Sequence, residues 1–441
     1  MLIQEKFISE LQSDVLTYQE EFEKVLEKIA QSTAIYNGVP IDTLFMPKFF
    51  TQNQIQKFDN LTSTMVTIIH KVITNYMESE EFQDLFPFNE DLKKLILTKH
   101  GYNSLLPIAR IDFFYNEETD NFKFCEFNTD GTSAMNEDRE LVRILGETSI
   151  LKKMHQHFHI RSFELIDSWV DEMITIYKSS PFASSQPTIA IIDFLDKATI
   201  DEFKVFQNGF ERKGFKTIIA DIREVVYKNA CLMYRNTKID LVYRRAVTTE
   251  MNRHFDKIKG FIEACKSGNV CIVGPIKTHI AHHKLIFKIL HMEQTHLFLK
   301  ENEVNFIRKH IPYTDHLSGN HVDKIIKAKN NWIIKPIDDY GSKGVYAGLD
   351  FTQQQWEKMV LDCSNKDYLV QEYCHPFQSE FPVFRNGSIR FEKYNNITGV
   401  YVYNGKMKGI LSRAGQRAVV SGINSGVTLP TFIVDKISEK S

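Results

Sequence analysis

Two neighbouring apolar segments, each with polar residues at alternate positions, limit the folds that this chain can adopt more than any other feature of the sequence. The segments 109–114 and 122–131 both read as β-strands, because aromatic and β-branched residues dominate them. Between them lies the polar segment 116–121, which is typical of a hairpin connection. The sequence therefore predicts an antiparallel pair of strands, and side chains that alternate between its two faces.

Four polar side chains fall on one face of this predicted pair. Arg110 and Asp112 lie two residues apart on the first strand, and Glu126 and Asn128 lie two apart on the second. Carboxylate and amide oxygens are ligands that Mg²⁺ takes from proteins while it keeps positions for phosphate oxygens. The arginine adds a planar fork of donors that suits an anionic oxygen. Asp112, Glu126 and Asn128 are thus candidate metal ligands, and the alternative is the solvated polar face of an ordinary hairpin.

Composition narrows the classes of protein. With 441 residues, 43% of them hydrophobic, the chain is long enough for two or three domains with substantial cores. A formal net charge of −2 predicts neither nucleic acid nor an anionic membrane as a partner. The first residues lack the pattern of a secretory signal, no apolar run is long enough to span a bilayer, and the six cysteines form no CxxC pair. We expect a cytoplasmic protein whose cysteines are mostly reduced core residues.

Changes in apolar periodicity divide the chain into four parts. Helical spacing over 13–30 and 53–80 predicts a helical N-terminal region, and 136–178 reads as two long amphipathic helices after the central hairpin. A serine- and proline-containing linker at 179–187 precedes alternating strands and helices. The predicted parts are residues 1–100, the N-terminal helical region; 101–180, the hairpin and its helices; 187–275, a small parallel α/β unit; and 276–441, the remaining strands and loops.

Within the α/β unit we expect strands at 188–193, 216–220, 231–234, 239–243 and 269–273, and helices at 200–213 and 248–267. Arg244 and Arg245 follow a strand at the end where such sheets bind ligands, and a surface role is the alternative. A helix that contains His282, His283 and Lys284 is expected after the last of these strands. His279, His282 and His283 lack a carboxylate or cysteine at ligand spacing, so they do not favour a metal site.

A second polar cluster lies in the last part. Lys335 ends the apolar segment 331–336, and the loop Gly341, Ser342, Lys343 and Gly344 follows it, before a return strand at 345–351 and a helix at 352–362. Such a loop can approach polyphosphate closely and offer backbone N–H groups, although a common β-turn would look similar. Further strands are predicted at 367–374, 388–394, 398–403 and 409–413, with Asn404-Gly405 as a hairpin turn and a turn-rich stretch at 421–426. Arg413, which ends one of these strands, is either a phosphate ligand or a surface arginine.

Together these motifs resemble the ATP-grasp ligases over roughly residues 100 to 415. Lys335, the loop 341–344 and the strand containing Gln371, Glu372 and Tyr373 look like that family's nucleotide-clamping half. The candidate metal ligands precede the nucleotide strands here, an order that resembles the circularly permuted branch typified by glutathionylspermidine synthase, without its amidase domain. The resemblance implies a mixed α/β and α+β architecture: an ATP-grasp core, a small parallel α/β domain before it, and an N-terminal helical region.

The same resemblance implies an ATP-dependent carbon–nitrogen ligase that joins a carboxylate to an amine through an acylphosphate and releases ADP and phosphate. Implied ATP contacts are Lys284, Lys335, Gly341, Ser342, Lys343, Gly344, Gln371, Glu372 and Tyr373. Asp112, Glu126 and Asn128 would hold Mg²⁺ or Mn²⁺, Arg110 would stabilise the oxyanion, and Arg413 would lie near the transferred phosphate. The substrates would be an amino acid, a small peptide or a polyamine. The alternatives are a small-molecule kinase and a catalytically silent nucleotide-binding protein on the same fold.

Overall fold

The computed structural model describes residues 2–36, 38–339, 341–421 and 426–437. Tyr340, which directly precedes the predicted loop 341–344, and residues 422–425 of the predicted turn-rich stretch lie outside them. In the N-terminal region, the long helix α3 starts at a capping box in which Thr51 and Gln54 satisfy each other's backbone N–H groups. The elements here are α1 Ile3–Ser13, α2 Val15–Ala30, β1 Ile35–Tyr36, β2 Val39–Pro40, β3 Lys48–Thr51, α3 Gln52–Glu78, α4 Glu80–Gln83 and α5 Glu90–Leu97.

The predicted central hairpin is present as two antiparallel strands, with helices after it. The elements are β4 Ile108–Tyr115, β5 Phe122–Asn128, α6 Met135–Gly146, α7 Ser149–Met154, β6 Phe158–Ser162 and α8 Asp167–Lys178. The prediction of two long helices over 136–178 is wrong, because β6 interrupts the helical part. Its residues pair with β22 (Thr431–Lys436) near the far end of the chain, and a pairing partner so distant in sequence leaves no local pattern.

The α/β unit contains a parallel sheet, as predicted, and this sheet has four strands. Its elements are β7 Ile189–Asp193, α9 Ile200–Arg212, β8 Thr217–Asp221, β9 Val225–Lys228, β10 Cys231–Tyr234, β11 Thr237–Ile239, β12 Leu241–Arg244, α10 Thr248–Arg253, α11 Lys259–Ser267 and β13 Cys271–Val273. The parallel order is β13-β12-β7-β8. Two expectations need correction. The strand at 231–234 belongs to a separate antiparallel sheet, β11-β10-β9, and the helix over 248–267 is divided by a 3₁₀ turn at Phe255–Lys257.

The last part supplies a separate four-stranded sheet and the strands that extend the central hairpin into a larger sheet. Its elements are α12 His279–His282, α13 Ile286–Ile289, α14 Glu293–His296, α15 Glu301–His310, β14 Thr314–His316, α16 Val322–Lys327, β15 Trp332–Pro336, β16 Tyr346–Ala347, α17 Gln353–Ser364, β17 Tyr368–Glu372, β18 Gln378–Arg385, β19 Ser388–Tyr403, β20 Lys406–Gly415, β21 Val427–Leu429 and β22. The predicted return strand at 345–351 shrinks to β16 and a 3₁₀ turn. Two predicted strands merge into the single strand β19.

Two sheets position the site. A six-stranded sheet runs β21-β20-β19-β4-β5, with β18 also paired to β19, and a four-stranded sheet runs β14-β17-β15-β16. The predicted Asn404-Gly405 turn joins β19 to β20, and both residues have the positive φ that a tight hairpin turn requires. The strands β4 and β19 are distant in sequence but paired in space, so the central hairpin forms one edge of the large sheet.

Candidate active site

The four polar side chains of the central hairpin lie together, as the strand alternation predicts. In the β4–β5 register, Arg110 lies opposite Asn128 and Asp112 lies opposite Glu126. The Asn128 side-chain amide donates to Asp112 Oδ2 at 3.0 Å, so its own oxygen points away from that carboxylate. A β-bulge follows immediately between Asp112 and Phe113, and such irregularities often adjust the aim of a side chain beside a site.

Arg110 and Asp112 form a buried, bidentate ion pair. Arg110 Nε donates to Asp112 Oδ1 at 2.7 Å and Nη2 donates to Oδ2 at 2.9 Å. The remaining Nη1 donates to the Ser133 carbonyl at 3.2 Å. Burial raises the pKa of Asp112, and although Arg110 opposes this shift, the net pKa stays above the usual value. The guanidinium is thus held in one orientation by the aspartate.

Glu126 lies among cations. Its Oε1 is 3.7 Å from Lys284 Nζ. Burial by itself raises the pKa of Glu126, but Lys284 and Lys335, together with other nearby cations, bring the net pKa below its usual value. An ionised carboxylate in this position suits a divalent cation that also binds phosphate.

Lys335 projects from β15 into a cavity between the two sheets. Its Nζ donates to the Gln371 side-chain oxygen at 2.7 Å and to the Cys125 carbonyl at 3.3 Å. Gln371, on the adjacent strand β17, in turn donates to Thr314 Oγ1 at 2.9 Å. Burial lowers the pKa of Lys335. This ammonium group has few protein oxygens around it, so an anionic ligand would be a favourable partner.

Lys284 connects the hairpin to the predicted phosphate loop. The expected helix is broken here, because Lys284 lies in the turn between α12 and α13, and its ammonium donates to the Asp339 carbonyl. Asp338, one residue earlier, accepts a hydrogen bond from Thr249 Oγ1 of α10 at 2.6 Å. The start of the loop is thereby attached both to Lys284 and to the α/β unit.

The loop residues Gly341, Ser342 and Gly344 all have positive φ, and Lys343 between them is exposed. A β-carbon at position 344 would come within 2.7 Å of the Tyr368 hydroxyl, so the close approach to β17 requires glycine. Two successive left-handed residues, Gly341 and Ser342, turn the chain sharply. Such turns expose backbone N–H groups, and this is the geometry in which loops bind anions.

The predicted ATP contacts Gln371, Glu372 and Tyr373 form a hinge segment at the end of β17, with Tyr373 directly after the strand. The N–H of Glu372 donates to the Tyr313 carbonyl and the N–H of Tyr373 donates to the Asn331 carbonyl, both at 2.8 Å. The Tyr373 hydroxyl donates to the Ala418 carbonyl at 3.1 Å. Because both N–H groups are engaged, the hinge offers carbonyl oxygens and the Tyr373 ring to a base, rather than N–H donors.

Two adjoining cavities share three residues, Glu126, Ser342 and Arg413. The first cavity combines lysines with apolar and hinge residues, and its lining includes Asp112, Phe114, Lys284, Ile333, Lys335, Val345, Gln371, Glu372, Tyr373 and Val420. The second is mainly polar and includes Arg110, Asn128, Ser133, Glu137 and Thr428. Arg413 lies between them, and its Nη2 is 3.5 Å from Glu137 Oε2. Most of the predicted site residues line the first cavity. The exceptions are Arg110, Asn128 and Gly341, which line the second cavity, and Lys343 and Gly344, which line neither.

Sequence reasoning missed several residues that shape the site. Gly399 of β19 lies opposite Asp112, and a β-carbon there would be 2.6 Å from Asp112 Oδ1 and 2.9 Å from Arg110 Cδ. The Tyr401 hydroxyl donates to the Ser133 carbonyl at 2.8 Å. Glu137 binds both Arg413 and the Thr428 hydroxyl. A glycine inside a strand signals close approach of another group, so only Gly399 left a readable signal.

Arg244 and Arg245 are buried, which rules out the surface alternative. Arg244 Nη2 is 2.5 Å from Asp130 Oδ1, and Arg245 Nη2 is 2.8 Å from Glu202 Oε1. Over the described residues no group of three or more histidine, cysteine, aspartate or glutamate side chains is arranged to hold a metal ion, and this includes the three histidines near α12. Any metal at the central hairpin would therefore rely on two carboxylates, an amide and the oxygens of a ligand.

The fold has a counterpart among solved structures. A glutathione synthetase-like effector from Globodera pallida, solved in its apo form, matches this chain with a TM-score of 0.64 at 12% sequence identity, over 95% of this chain and 98% of that chain. The chain shares the overall fold of that effector. At this identity the likeness concerns the fold alone.

A D-cycloserine synthetase matches with a TM-score of 0.29 at 12% identity, over 55% of this chain and 90% of that one, a likeness too low to carry an argument. No family model and no curated protein matches the sequence. No helix in the described ranges is long and apolar enough to cross a bilayer.

Proposed function

We propose that this protein is an ATP-dependent ligase that joins a carboxylate to an amine. The observation that carries the proposal is the pair of adjoining cavities with Glu126, Ser342 and Arg413 at their junction. One cavity has the lysines and apolar walls that a nucleotide requires, and the other has the polar groups that a small substrate requires. A phosphoryl group passing from one ligand to the other would have to cross this junction.

On the nucleotide side, Lys284 and Lys335 would bind phosphate oxygens, and the loop residues Gly341, Ser342, Lys343 and Gly344 would cover them. The base would lie against Ile333, Val345 and the hinge residues Gln371, Glu372 and Tyr373. These assignments agree with charge and burial: the ammonium of Lys335 is buried with two protein acceptors, and a polyphosphate would supply further ones.

Asp112, Glu126 and Asn128 fit a divalent metal by their chemistry. They offer hard oxygens on one face, and the lowered pKa of Glu126 keeps its carboxylate ionised. Bound there with ATP, Mg²⁺ or Mn²⁺ would neutralise charge on the transferred phosphoryl group. The Asp112 carboxylate already accepts three hydrogen bonds from Arg110 and Asn128, so its orientation toward the cavity is set before any ligand binds.

The proposed reaction has two steps. A substrate carboxylate oxygen attacks the γ-phosphorus of ATP, the bond to the ADP oxygen breaks, and an acylphosphate forms. An amine nitrogen then attacks the acyl carbon, phosphate leaves, and the nitrogen loses a proton to give the amide. Arg413, at the junction, would bind the transferred phosphate, and Arg110 would stabilise the oxyanion that forms at the acyl carbon.

A finer assignment rests on element order and on the fold. The candidate metal strands β4 and β5 precede the nucleotide strands β15 and β17, which is the order of the circularly permuted, glutathionylspermidine synthase-like branch. The solved counterpart carries a glutathione synthetase-like name, which supports the same class of reaction. We therefore propose an amino acid, a small peptide or a polyamine as substrates.

Product analysis tests the proposal. The purified protein, with MgATP, would be screened against amino acids, small peptides and polyamines in pairs, with ADP, AMP, phosphate and any amide measured by chromatography and mass spectrometry. ADP, phosphate and a stable amide are expected. A stable phosphoester would identify a kinase, AMP with pyrophosphate would identify adenylation, and the absence of turnover with any pair would favour a silent protein. The Glu126→Gln variant, which keeps the shape of the side chain, serves as a control that should turn over more slowly at the same Mg²⁺ concentration.

A further inference from the structure

The second cavity has one apolar wall, and it comes from a single hairpin. Tyr36, Val39, Pro40 and Ile41 line it from β1, β2 and the residue after them. Among the other described residues of the lining, only Val247 and three glycines are not polar. The cavity is therefore amphipathic: Arg110, Asn128 and Arg413 lie on its polar side, with the hairpin as its apolar side.

The base of the hairpin is held firmly by residues next to the site. Asn136, in the first turn of α6, donates through its amide to the Thr33 carbonyl at 2.8 Å and to the Thr33 hydroxyl at 3.0 Å. Ile41 N–H donates to the Ala34 carbonyl at 2.9 Å, and Thr428 N–H donates to the Asp42 carbonyl at 3.0 Å. Because both ends are fixed, the position of the apolar residues relative to Arg413 is fixed as well.

The outer end of the hairpin is exposed. Val39 is 62% exposed, whereas valine is among the residue types that are most often buried. From the opposite side, a β-carbon at Gly341 would be 3.9 Å from the Tyr36 hydroxyl, so the hairpin and the phosphate loop approach each other across the mouth. An apolar group of a ligand in the cavity would contact Tyr36 and Val39.

We propose that the β1–β2 hairpin determines substrate specificity, and that the second cavity takes an amino acid or small peptide with an apolar side chain. The reacting polar end would face Arg110 and Arg413, and the apolar side chain would pack on Tyr36, Val39 and Pro40. This inference rests on the proposed ligase function and narrows its substrate class.

The test uses a series of probes in which only the side chain changes: glycine, L-alanine, L-valine, L-leucine and L-phenylalanine. Each is supplied with MgATP and hydroxylamine as a small amine, and phosphate release gives kcat/KM. The expected wild-type result is at least a tenfold rise from glycine to leucine, since each added methylene contributes to binding in an apolar site. Val39→Thr should lower kcat/KM for leucine about threefold or more, and leave glycine and the KM for ATP unchanged.

Matched variants distinguish a loss of substrate specificity from a general disturbance of the structure. Tyr36→Phe keeps the ring and should keep the leucine preference, whereas Tyr36→Ala should lose most of it. Val226→Thr makes the same chemical change at an exposed valine of β9 in the α/β unit, and should change no parameter. A wild type with equal kcat/KM for glycine and leucine, or a Val39→Thr variant that lowers both equally, would overturn the inference.

Measurements of ligand binding test the role of the hairpin independently of the ligase proposal. Saturation-transfer NMR would compare leucine and glycine in the presence of Mg²⁺ and a non-hydrolysable ATP analogue. Stronger binding of leucine that Val39→Thr abolishes, without turnover, would support the hairpin's role and reject the ligase. Turnover without side-chain preference would support the ligase and reject the hairpin's role. The absence of both binding and turnover with every probe would reject both proposals.

Discussion

Lys335 and Lys284 bring positive charge to the first cavity from two different elements, β15 and the turn after α12. We predict that Lys335→Ala and Lys284→Ala each weaken ATP binding about 10- to 100-fold, because a charge-assisted hydrogen bond contributes on the order of 1.5–3 kcal/mol. Calorimetry with a non-hydrolysable analogue measures this. Lys358→Ala, at an exposed position of α17, should bind normally. Unchanged affinity in both cavity variants would mean that the nucleotide binds elsewhere.

Arg110 is expected to act at the acyl centre rather than on the nucleotide. Arg110→Lys keeps a charge but loses the planar fork that now holds both oxygens of Asp112. Amide formation should fall about 10²–10³-fold, the usual loss for one transition-state donor, while ATP still binds. Asp112→Asn and Glu126→Gln should instead raise the Mg²⁺ concentration needed for turnover.

Steady-state rates at saturating ATP, together with ATP affinity, distinguish these outcomes. Arg385→Lys, in an exposed ion pair with Glu392, is a matched control and should leave both quantities unchanged. If Arg110→Lys loses ATP affinity but turns over at the normal rate at saturating ATP, then Arg110 is a nucleotide ligand and does not act at the acyl centre.

The buried carboxyl group of Asp138, which is not one of the proposed reacting groups, should make the stability of the protein depend on pH. Burial raises the pKa of Asp138 to about 8, while one oxygen accepts from Thr431 N–H at 3.1 Å. An unfolded aspartate titrates near pH 4, so between about pH 4 and 8 the folded state keeps a proton that the unfolded state has lost. Stability should therefore fall as pH rises through this window, by at most about 1.4 kcal/mol per pH unit from this group.

The Asp138→Asn variant cannot ionise, so it should be more stable than the wild type at pH 8 and differ little at pH 4. Urea unfolding at several pH values measures the free energy directly. Asp362→Asn, at an exposed position, should reproduce the wild-type slope. Equal slopes in wild type and Asp138→Asn would show that Asp138 does not carry this pH dependence.

At the scale of elements, the packing of β19 against β4 controls the geometry of the Arg110–Asp112 pair. We predict that Gly399→Ala lowers turnover at least tenfold, because its β-carbon would lie 2.6 Å from Asp112 Oδ1 and force the pair apart. Overpacking of this kind typically costs about 1–3 kcal/mol, so the melting temperature should also fall. Gly146→Ala, where an added β-carbon meets no described atom within 4 Å, should change neither. Normal turnover in Gly399→Ala would show that the pair tolerates displacement.

The same elements show what the sequence could reveal. Alternation along β4 and β5 predicted the shared face of Arg110 and Asp112 with Glu126 and Asn128, because period-two patterning is a local property. The Asn404-Gly405 turn was equally readable, since its backbone conformation selects those residue types. Local signals therefore located the hairpin and its turn correctly.

Pairings between distant segments left no such signal. Strand β6 was read as helix, and it pairs with β22 some 270 positions later. Helical spacing placed Lys284 within a helix, whereas it lies in the turn between α12 and α13, and its ammonium donates to the distant Asp339 carbonyl. Glu137, at the start of α6, contacts Arg413 of β20, which is far from it in sequence. Periodicity therefore could not reveal contacts such as that of Glu137 with Arg413.

At the scale of the whole molecule, the first cavity lies between two sheets that are built from separate parts of the chain. Its walls come from β4, β5, β15 and β17, with the loop 341–344 at one side. A nucleotide that bridges these sheets would suppress their local opening, because a ligand that binds only the closed arrangement stabilises it by mass action. The antiparallel sheet β11-β10-β9 contributes no residue to either cavity, so it provides an internal reference.

We therefore predict that MgATP, or Mg²⁺ with a non-hydrolysable analogue, slows amide hydrogen exchange in three segments: 122–128, 332–345 and 368–374. Exchange in 225–239 should stay the same. Mass spectrometry of the intact chain and its peptides measures each segment in one experiment. ATP with EDTA should give little protection, because the carboxylates Asp112 and Glu126 would then repel the phosphates. Protection confined to the reference sheet would place the nucleotide outside the cavity between the two sheets. Equal protection of the three segments with EDTA would show that nucleotide binding there needs no metal.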